Sequence, residues 1–119
     1  MIIAVSSQGQ DLKSPLDPRF GRAAHFILYD TENDKYQVLD NQTNLNASQG
    51  AGIQAAQAVS RGKARAVITG HCGPKAFLAL QAGNIAVYLC TEKTVEEAIQ
   101  AYKEGSLEQA DEADKAGHW

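Results

Sequence analysis

The sequence predicts a single α/β domain in which a mixed sheet is covered by helices, and three observations carry this prediction. The chain has 119 residues, 44% of them hydrophobic, which suffices for one core and is too short for two ordinary domains. In the second half, short apolar segments alternate with helical patterns, which favours parallel strands joined by right-handed crossovers. In the first half, two apolar segments flank a short polar turn, which indicates an antiparallel hairpin.

The first half of the chain predicts three strands and one long connection. Ile2–Val5 is a continuous apolar run typical of a buried strand. His25–Asp30 and Tyr36–Asp40 form the hairpin. The connection Ser6–Ala24 has 19 residues without periodicity, and loops of that length in a compact domain tend to be functional or mobile. We expect it to be either a binding loop or an ordered surface loop with Phe20 in the core.

The second half predicts three helices and two further strands, so the complete order is βββαβαβα with five strands. A Thr94–Glu97 capping box begins the last helix, and glycines follow the helices. In chain order the predicted elements are a helix over Asn46–Arg61 capped by Asn46 or Ser48, a strand over Ala64–Thr69, a helix over Pro74–Ala82, a strand over Ile85–Leu89 and a helix from Thr94 to Gly105. Ile53 and Leu78 are expected to face the core.

The charge of the chain is unevenly distributed. The net charge of −3 disfavours nucleic-acid binding, and residues 107–119 alone account for it. No carboxylate occurs between Asp40 and Glu92, whereas several basic residues do. We therefore expect one domain over residues 1–106 with an electropositive middle, followed by an acidic, mobile tail over residues 107–119.

The cysteines and the start of the chain exclude several classes of protein. Met1 and the apolar residues after it lack the basic region of a signal peptide and are too few for a membrane span, so we expect a cytoplasmic protein that does not bind membranes. Cys72 and Cys90 form no C-x-x-C pair, which disfavours structural zinc and favours reduced thiols. His118 and Trp119 lie in the acidic tail, where a histidine binds metals only adventitiously.

The segment Thr69–Phe77 is the strongest functional signal, because a strand runs into a glycine-rich loop that opens a helix. Gly70 and Gly73 let backbone amides approach a ligand, and Pro74 suits the first helical position. The amides at such a helix start favour an anion.

Three side chains of this loop could add to the site. Lys75 supplies a positive charge, and His71 and Cys72 are the residues of the chain best suited to meet a soft metal or a sulfide cluster. Alternatively, Cys72 is a small buried residue in a tight turn. His25 is expected to be a core-edge histidine, and Cys90 a structural residue.

The carboxyl ends of parallel strands meet at one edge of a sheet, where ligands bind. Loops from this edge, together with glycines at a helix start, should therefore form one cleft with the Gly70–Lys75 segment. The further residues expected there are Ser6, Ser7, Arg19, Phe20, Gly21, Arg22, Gln49, Gly50, Ala51 and Gly52, with Cys90 as a further candidate if it is not structural.

These motifs together resemble the dinitrogenase iron–molybdenum cofactor biosynthesis family, which includes NifX-type carriers. The resemblance covers residues 2 to about 107. Its motifs are Ile3–Ser6, Arg19–Ala23, Gly50–Gly52, Gly70–Phe77, Val87–Tyr88, Thr94–Ala98 and Tyr102–Gly105. The Gly70–Lys75 version, Gly-His-Cys-Gly-Pro-Lys, is most similar to the orange protein branch, which holds a molybdenum–copper sulfide cluster.

The resemblance implies a ribonuclease-H-like fold and a non-enzymatic carrier of an anionic metal–sulfur cluster. The expected cargo is a molybdenum–copper sulfide cluster, with no nucleotide, and the carrier is expected to be a monomer. Cofactor-assembly proteins or ATPases would be its partners. The family pattern falls on Phe20, Gly21, Arg22, Gly50, Gly52, Gly70, Gly73 and Pro74.

Two other functions compete with this interpretation. Nucleases on this fold need clustered carboxylates for Mg²⁺, which the first strand and the long carboxylate-free interval do not provide. A regulatory module for a partner ATPase, with no obligatory cluster, remains the stronger alternative.

Overall fold

The computed structural model describes residues 1–41, 50–91 and 93–110, in which a six-stranded mixed sheet carries helices on both faces. The strands are β1 (Ile2–Ser7), β2 (His25–Asp30), β3 (Tyr36–Asp40), β4 (Ala64–Thr69), β5 (Ala86–Leu89) and β6 (Glu108–Gln109). The helices are α1 (Ala51–Arg61), α2 (Pro74–Ala82) and α3 (Val95–Lys103). None of these three is both long and apolar enough to cross a bilayer.

The sheet has the order β3-β2-β1-β4-β5-β6. Strands β1, β4 and β5 are parallel, whereas β2 and β3 pair antiparallel as a hairpin beside β1. The predicted mixed α/β fold is therefore confirmed. The parallel strands β1, β4 and β5 direct the loops that follow them to one edge of the sheet, as expected for a ligand site.

The sixth strand was not predicted. Glu108 pairs with Leu89 and Gln109 with Tyr88, antiparallel to β5, and the Ala110 amide donates a 2.8 Å hydrogen bond to the carbonyl of Val87. The sheet thus continues past residue 106, and the expected tail is wrong for its first residues. A two-residue strand has no periodicity from which it could be predicted. Residues 111–119 lie outside the described residues.

Two cores form because side chains alternate between the faces of the sheet. On one face Ala4, Phe26 and Val67 pack against α1 and α2, and on the other Val5 and Ile68 pack against α3. All five side chains are almost completely buried. This two-sided burial explains why Ile2–Val5 of β1 is a continuous apolar run and why Ala66, Val67 and Ile68 of β4 are consecutive apolar residues.

Two expectations about helix faces and one about a helix start are wrong. Ile53 is 36% exposed and Leu78 is 64% exposed, because α1 and α2 direct other residues of their apolar stripes, such as Val59 and Leu80, into the core. Helix α1 begins at Ala51 rather than Asn46, since Gly50 has a left-handed φ of 76° that cannot continue a helix. The proposed caps Asn46 and Ser48 lie outside the described residues.

A cluster of three polar side chains joins the β2–β3 turn to α3. The Tyr29 hydroxyl donates to Oδ1 of Asp34, and Lys103 Nζ lies 2.9 Å from both Tyr29 Oη and Asp34 Oδ1. The Lys103 ammonium also lies 5.0 Å from the centroid of the Tyr29 ring. The hydrogen bond from Tyr29, followed by that from Lys103, lowers the pKa of Asp34 below its usual value.

We predict that Asp34→Asn reduces the acid sensitivity of the fold. Because the folded-state pKa of Asp34 is lowered, its carboxylate stabilises the protein above the unfolded-state pKa of about 3.9, and this contribution disappears as the pH falls through the folded-state value. Asparagine tolerates the φ of 59° at this position. Urea unfolding between about pH 2 and pH 6 should therefore show a flatter pH dependence in the variant.

Glu32→Gln is the matched control, since Glu32 lies in the same turn and its carboxylate, 83% exposed, forms only a 3.7 Å ion pair with the N-terminal ammonium, which contributes little at such exposure. Its pH profile should follow that of the unaltered protein. Equal acid sensitivity of Asp34→Asn and the unaltered protein would show that the cluster does not stabilise the fold electrostatically.

Candidate anion-binding pocket

A cavity of about 250 Å³ opens at the sheet edge where β4 ends and α1 and α2 begin. Three chain segments surround it: the end of the long loop, the start of α1 and the β4–α2 connection with the start of α2. The lining residues are Arg19, Phe20, Gly21, Arg22, Gly50, Ala51, Gly52, Ile53, His71, Gly73, Pro74, Lys75 and Ala76.

The long loop, residues 8–24, is held to the domain along its length. Near its middle, the Leu16 amide donates to the Lys93 carbonyl (3.0 Å), and the Val95 amide donates to the Ser14 carbonyl (3.0 Å), which joins the loop to the start of α3. Near its end, the Phe20 amide donates a 3.1 Å hydrogen bond to the carbonyl of His71. These backbone bonds place the last residues of the loop against the β4–α2 connection.

Phe20 anchors the end of the loop in the core. Its side chain is 1% exposed, and its ring centroid lies 5.1 Å from that of Phe26. Burial of a phenylalanine side chain stabilises a fold by about 2 to 3 kcal/mol. The expectation of an ordered loop with Phe20 in the core is thus confirmed, and the same residue also lines the cavity.

Small residues allow the loop and the two helix starts to pack at very short range. A Cβ on Gly21 would lie 2.8 Å from the Cα of Gly52, and a Cβ on Gly52 would lie 3.0 Å from the Cβ of Ala76. The first distance is shorter than side chains tolerate, so Gly21 must remain without a Cβ. This contact among Gly21, Gly52 and Ala76 brings the three segments of the pocket together.

The N-termini of both α1 and α2 meet at the cavity without side-chain caps. Gly50 and Gly73 occupy the N-cap positions, and neither helix has an acidic residue in its first turn. Helix α3 differs, because Thr94 and Glu97 form a complete capping box there. The first-turn amides of α1 and α2 lack intrahelical acceptors, and together with the helix dipoles they favour an anion.

The side chains at the cavity have the same electrostatic preference. Arg19, Arg22 and Lys75 supply positive charge, His71 adds an imidazole, and no carboxylate occurs among the described residues that line the cavity. The nearby carboxylate of Asp17, 6% exposed, lies 3.8 Å from Arg19 Nε and accepts a 3.0 Å hydrogen bond from the Arg19 amide. It orients Arg19 at the edge of the pocket.

The structure brings most of the residues expected from the sequence together at this cavity and places others elsewhere. Eleven of them line it: Arg19, Phe20, Gly21, Arg22, Gly50, Ala51, Gly52, His71, Gly73, Pro74 and Lys75. Ser6, Ser7, Gly70, Cys72 and Cys90 do not line it. Gln49 lies outside the described residues.

The residues away from the cavity have structural contacts instead. The Ser6 hydroxyl is fully buried, donates a 2.6 Å hydrogen bond to the Asp17 carbonyl and lies 2.9 Å from Thr69 Oγ1. This hydroxyl therefore joins the end of β1 to the long loop and to the end of β4. A Cβ on Gly70 would lie 2.9 Å from the Cα of Pro18, so this glycine is required for packing against the loop. Ser7 is fully buried and hydrogen bonds Gly9.

Cys72 is 2% exposed and belongs to the core on the α1–α2 face. Its burial matches the alternative prediction of a small buried residue, not that of a ligand at the pocket. Cys90 is also buried, and no disulfide joins the two cysteines. His25 lies at the start of β2, and its Nδ1 is buried without a hydrogen-bond partner. Over residues 1–41, 50–91 and 93–110, no three His, Cys, Asp or Glu side chains lie together as metal ligands would.

Ile53 and Ala76 line the cavity and were not predicted to do so. Ala76 adjoins Lys75, which was predicted, and its small size was the available signal. Ile53 was wrongly predicted to face the core, because an apolar residue in an amphipathic helix is normally expected there.

The chain is similar to several known proteins over most of its length. Residues 1–105 match the family model described as dinitrogenase iron-molybdenum cofactor. The apo form of the orange protein from Desulfovibrio gigas is 41% identical, with 96% of each chain covered and a TM-score of 0.93. A NifB-type protein from Thermotoga is 34% identical over 98% of each chain, with a TM-score of 0.86. An uncharacterized protein of Methanocaldococcus jannaschii is 30% identical over 78% of this chain and 80% of its own.

We predict that Gly21→Ala lowers the free energy of unfolding by about 1 to 3 kcal/mol, because the added methyl group would overlap the backbone of Gly52. Urea unfolding monitored by circular dichroism provides the measurement. Gly83→Ala is the control: its Cβ would meet only atoms at 3.6 Å or beyond, at an ordinary φ, so the stability should change by less than about 1 kcal/mol. Equal stability of the two variants would contradict the close contact.

Proposed function

This chain belongs to the dinitrogenase iron–molybdenum cofactor family, and on that basis we propose that its pocket binds and carries an anionic metal–sulfur cluster without covalent attachment. The observation that carries the proposal is the convergence of two uncapped helix N-termini with Arg19, Arg22 and Lys75 on one cavity that no described carboxylate lines. Such a site has donors and positive charge for an anion, and no group of three His, Cys, Asp or Glu side chains among the described residues could hold a metal ion there.

Different residues of the pocket would contribute different interactions with the cargo. First-turn amides of α1 and α2 would donate hydrogen bonds to the sulfide or oxide atoms of the cargo, and Arg22 and Lys75 would balance its charge. Ile53, which is 36% exposed, would supply apolar surface that keeps water from one side of the cargo. A large, polarizable thiometallate suits this mixture of amides, cations and apolar carbon better than a small, strongly hydrated oxyanion.

The cargo that we propose is a molybdenum–copper sulfide cluster or a related molybdenum precursor. The similarity to the orange protein supports this choice, as does the Gly70–Lys75 sequence that first indicated it. Since Cys72 is buried in the core and does not line the cavity, we infer that any copper is held by the sulfides of the cargo rather than by this thiolate.

The proposal is tested by anaerobic titration with tetrathiomolybdate, with and without Cu(I), followed by gel filtration, visible absorption and metal analysis. We expect a coloured complex with a defined metal-to-protein ratio. Inorganic phosphate at the same concentration should not displace it. If no metal is retained under any of these conditions, the cluster-carrier function is wrong and the regulatory module without a cluster becomes the better interpretation.

We predict that Arg22→Gln and Lys75→Gln each weaken tetrathiomolybdate binding about tenfold, because a hydrogen bond to a charged group contributes about 1.5 to 3 kcal/mol. Arg61→Gln combined with Lys63→Gln is the matched control. Both residues are exposed at the opposite end of α1, so their removal should leave the affinity unchanged. An equal loss of affinity in the control would show that the net charge of the protein, and not contact with the cargo, causes the weaker binding.

Cys72→Ala separates electrostatic binding from thiolate ligation. We expect the variant to retain the complex with the same metal content, since the pocket donors remain intact. Loss of copper alone, in a variant that remains folded by circular dichroism, would show that the Cys72 thiolate ligates the metal.

A further inference from the structure

Ile53 presents apolar carbon at a cavity whose other groups suit an anion of any kind. It lines the cavity together with Arg22 and Lys75, and the residue is 36% exposed. Phe20 also lines the cavity, but at 1% exposure its ring offers little surface to a ligand. We therefore expect an anion in the cavity to contact the Ile53 side chain.

The position of Ile53 in α1 brings its side chain close to the open amides. Ile53 is the third helical residue after the N-cap Gly50, the position known as N3. In α3 the N3 residue is Glu97, whose carboxylate accepts a 3.0 Å hydrogen bond from the amide of the N-cap Thr94. An isoleucine offers no acceptor, so it leaves the amides of α1 to a ligand. Because the Cα–Cβ bond of a helical residue tilts toward the N-terminus, the Ile53 side chain extends toward those amides.

The two helix starts at the cavity therefore differ in what they add to their amides. Helix α2 has Lys75 at its second position, which supplies charge, and the small, buried Ala76 at N3. Helix α1 has Gly52 and Ile53 at the same positions and adds apolar surface instead. Positive charge and amide donors attract every anion of suitable size. Selection among anions of equal charge must therefore come from the apolar contact.

Contact with Ile53 has opposite consequences for oxide and sulfide anions. An oxyanion holds its water through strong hydrogen bonds, and an apolar wall removes that water without replacing the bonds, which costs free energy. Sulfur is a weaker hydrogen-bond acceptor than oxygen, so a sulfide anion loses less, and its polarizable surface gains dispersion contacts with the side chain.

We propose that Ile53 is the residue that selects sulfide-ligated metal anions over oxyanions of the same charge and shape. The role rests on the proposed function, because it concerns the cargo of the same pocket. Neither Arg22 nor Lys75 can make this distinction, since each neutralises charge whatever atom carries it.

Tetrathiomolybdate and molybdate are the probes, because both are tetrahedral dianions of molybdenum and differ only in sulfur against oxygen. The quantity measured is the ratio of their dissociation constants, molybdate over tetrathiomolybdate, by anaerobic isothermal titration at one pH and ionic strength. Ile53→Thr is compared with Ile53→Val, since both new side chains are β-branched and have similar helix propensity. We expect the ratio to be about fivefold to tenfold lower in Ile53→Thr, because its hydroxyl replaces apolar carbon and donates a hydrogen bond to molybdate.

Leu78→Thr is the matched control for a more polar surface. Leu78 lies in α2 and is 64% exposed, but it does not line the cavity, so this variant should keep the ratio of the unaltered protein. Equal ratios in Ile53→Thr and Ile53→Val would overturn the proposal, and so would an equally large fall in Leu78→Thr. If the unaltered protein binds no tetrathiomolybdate, the cluster-carrier function fails and the selectivity fails with it. Tetrathiomolybdate binding with equal ratios would refute the role of Ile53 alone.

Discussion

The close packing of Gly21, Gly52 and Ala76 is the constraint on which the pocket depends. It requires a loop residue without a Cβ, and it holds the end of the long loop against the starts of two different helices. The parallel strands bring those helix starts to one edge of the sheet, but they do not determine the distance between them. That distance is set by side-chain size, so the cavity is a consequence of tight packing around it.

The three helices show how the same backbone requirement is met in two ways. Helix α3 satisfies its first-turn amides internally through Thr94 and Glu97, whereas α1 and α2 begin at glycines that offer no side-chain acceptor. A glycine N-cap reduces helix stability by only about a few tenths of a kcal/mol relative to a good side-chain cap. At the pocket this cost leaves donors directed at a ligand, and the absence of acidic first-turn residues keeps them available for an anion.

Local patterns allowed most of the fold to be predicted, and packing between distant segments accounts for what was missed. The apolar runs of β1 and β4 and the Thr94 capping box identify their elements without any tertiary information. Glycine-rich junctions at Gly50 and Gly73 indicated most of the residues that line the cavity, because the groups proposed to bind an anion there are largely backbone amides. Cys72 was ambiguous, since a loop between glycines does not reveal which side chains turn inward. Strand β6 depends on pairing with β5 rather than on its own two residues.

Phe20 has a second significance, because it belongs to the hydrophobic core and to the wall of the cavity at once. The loop end cannot move away from the pocket without exposing this ring to water, at a cost of about 2 kcal/mol or more. Such an opening would be populated in only a few per cent of molecules. Access to the pocket from the loop side is thus linked to local unfolding, so occupancy should slow amide hydrogen exchange in β2 as well as at the pocket itself.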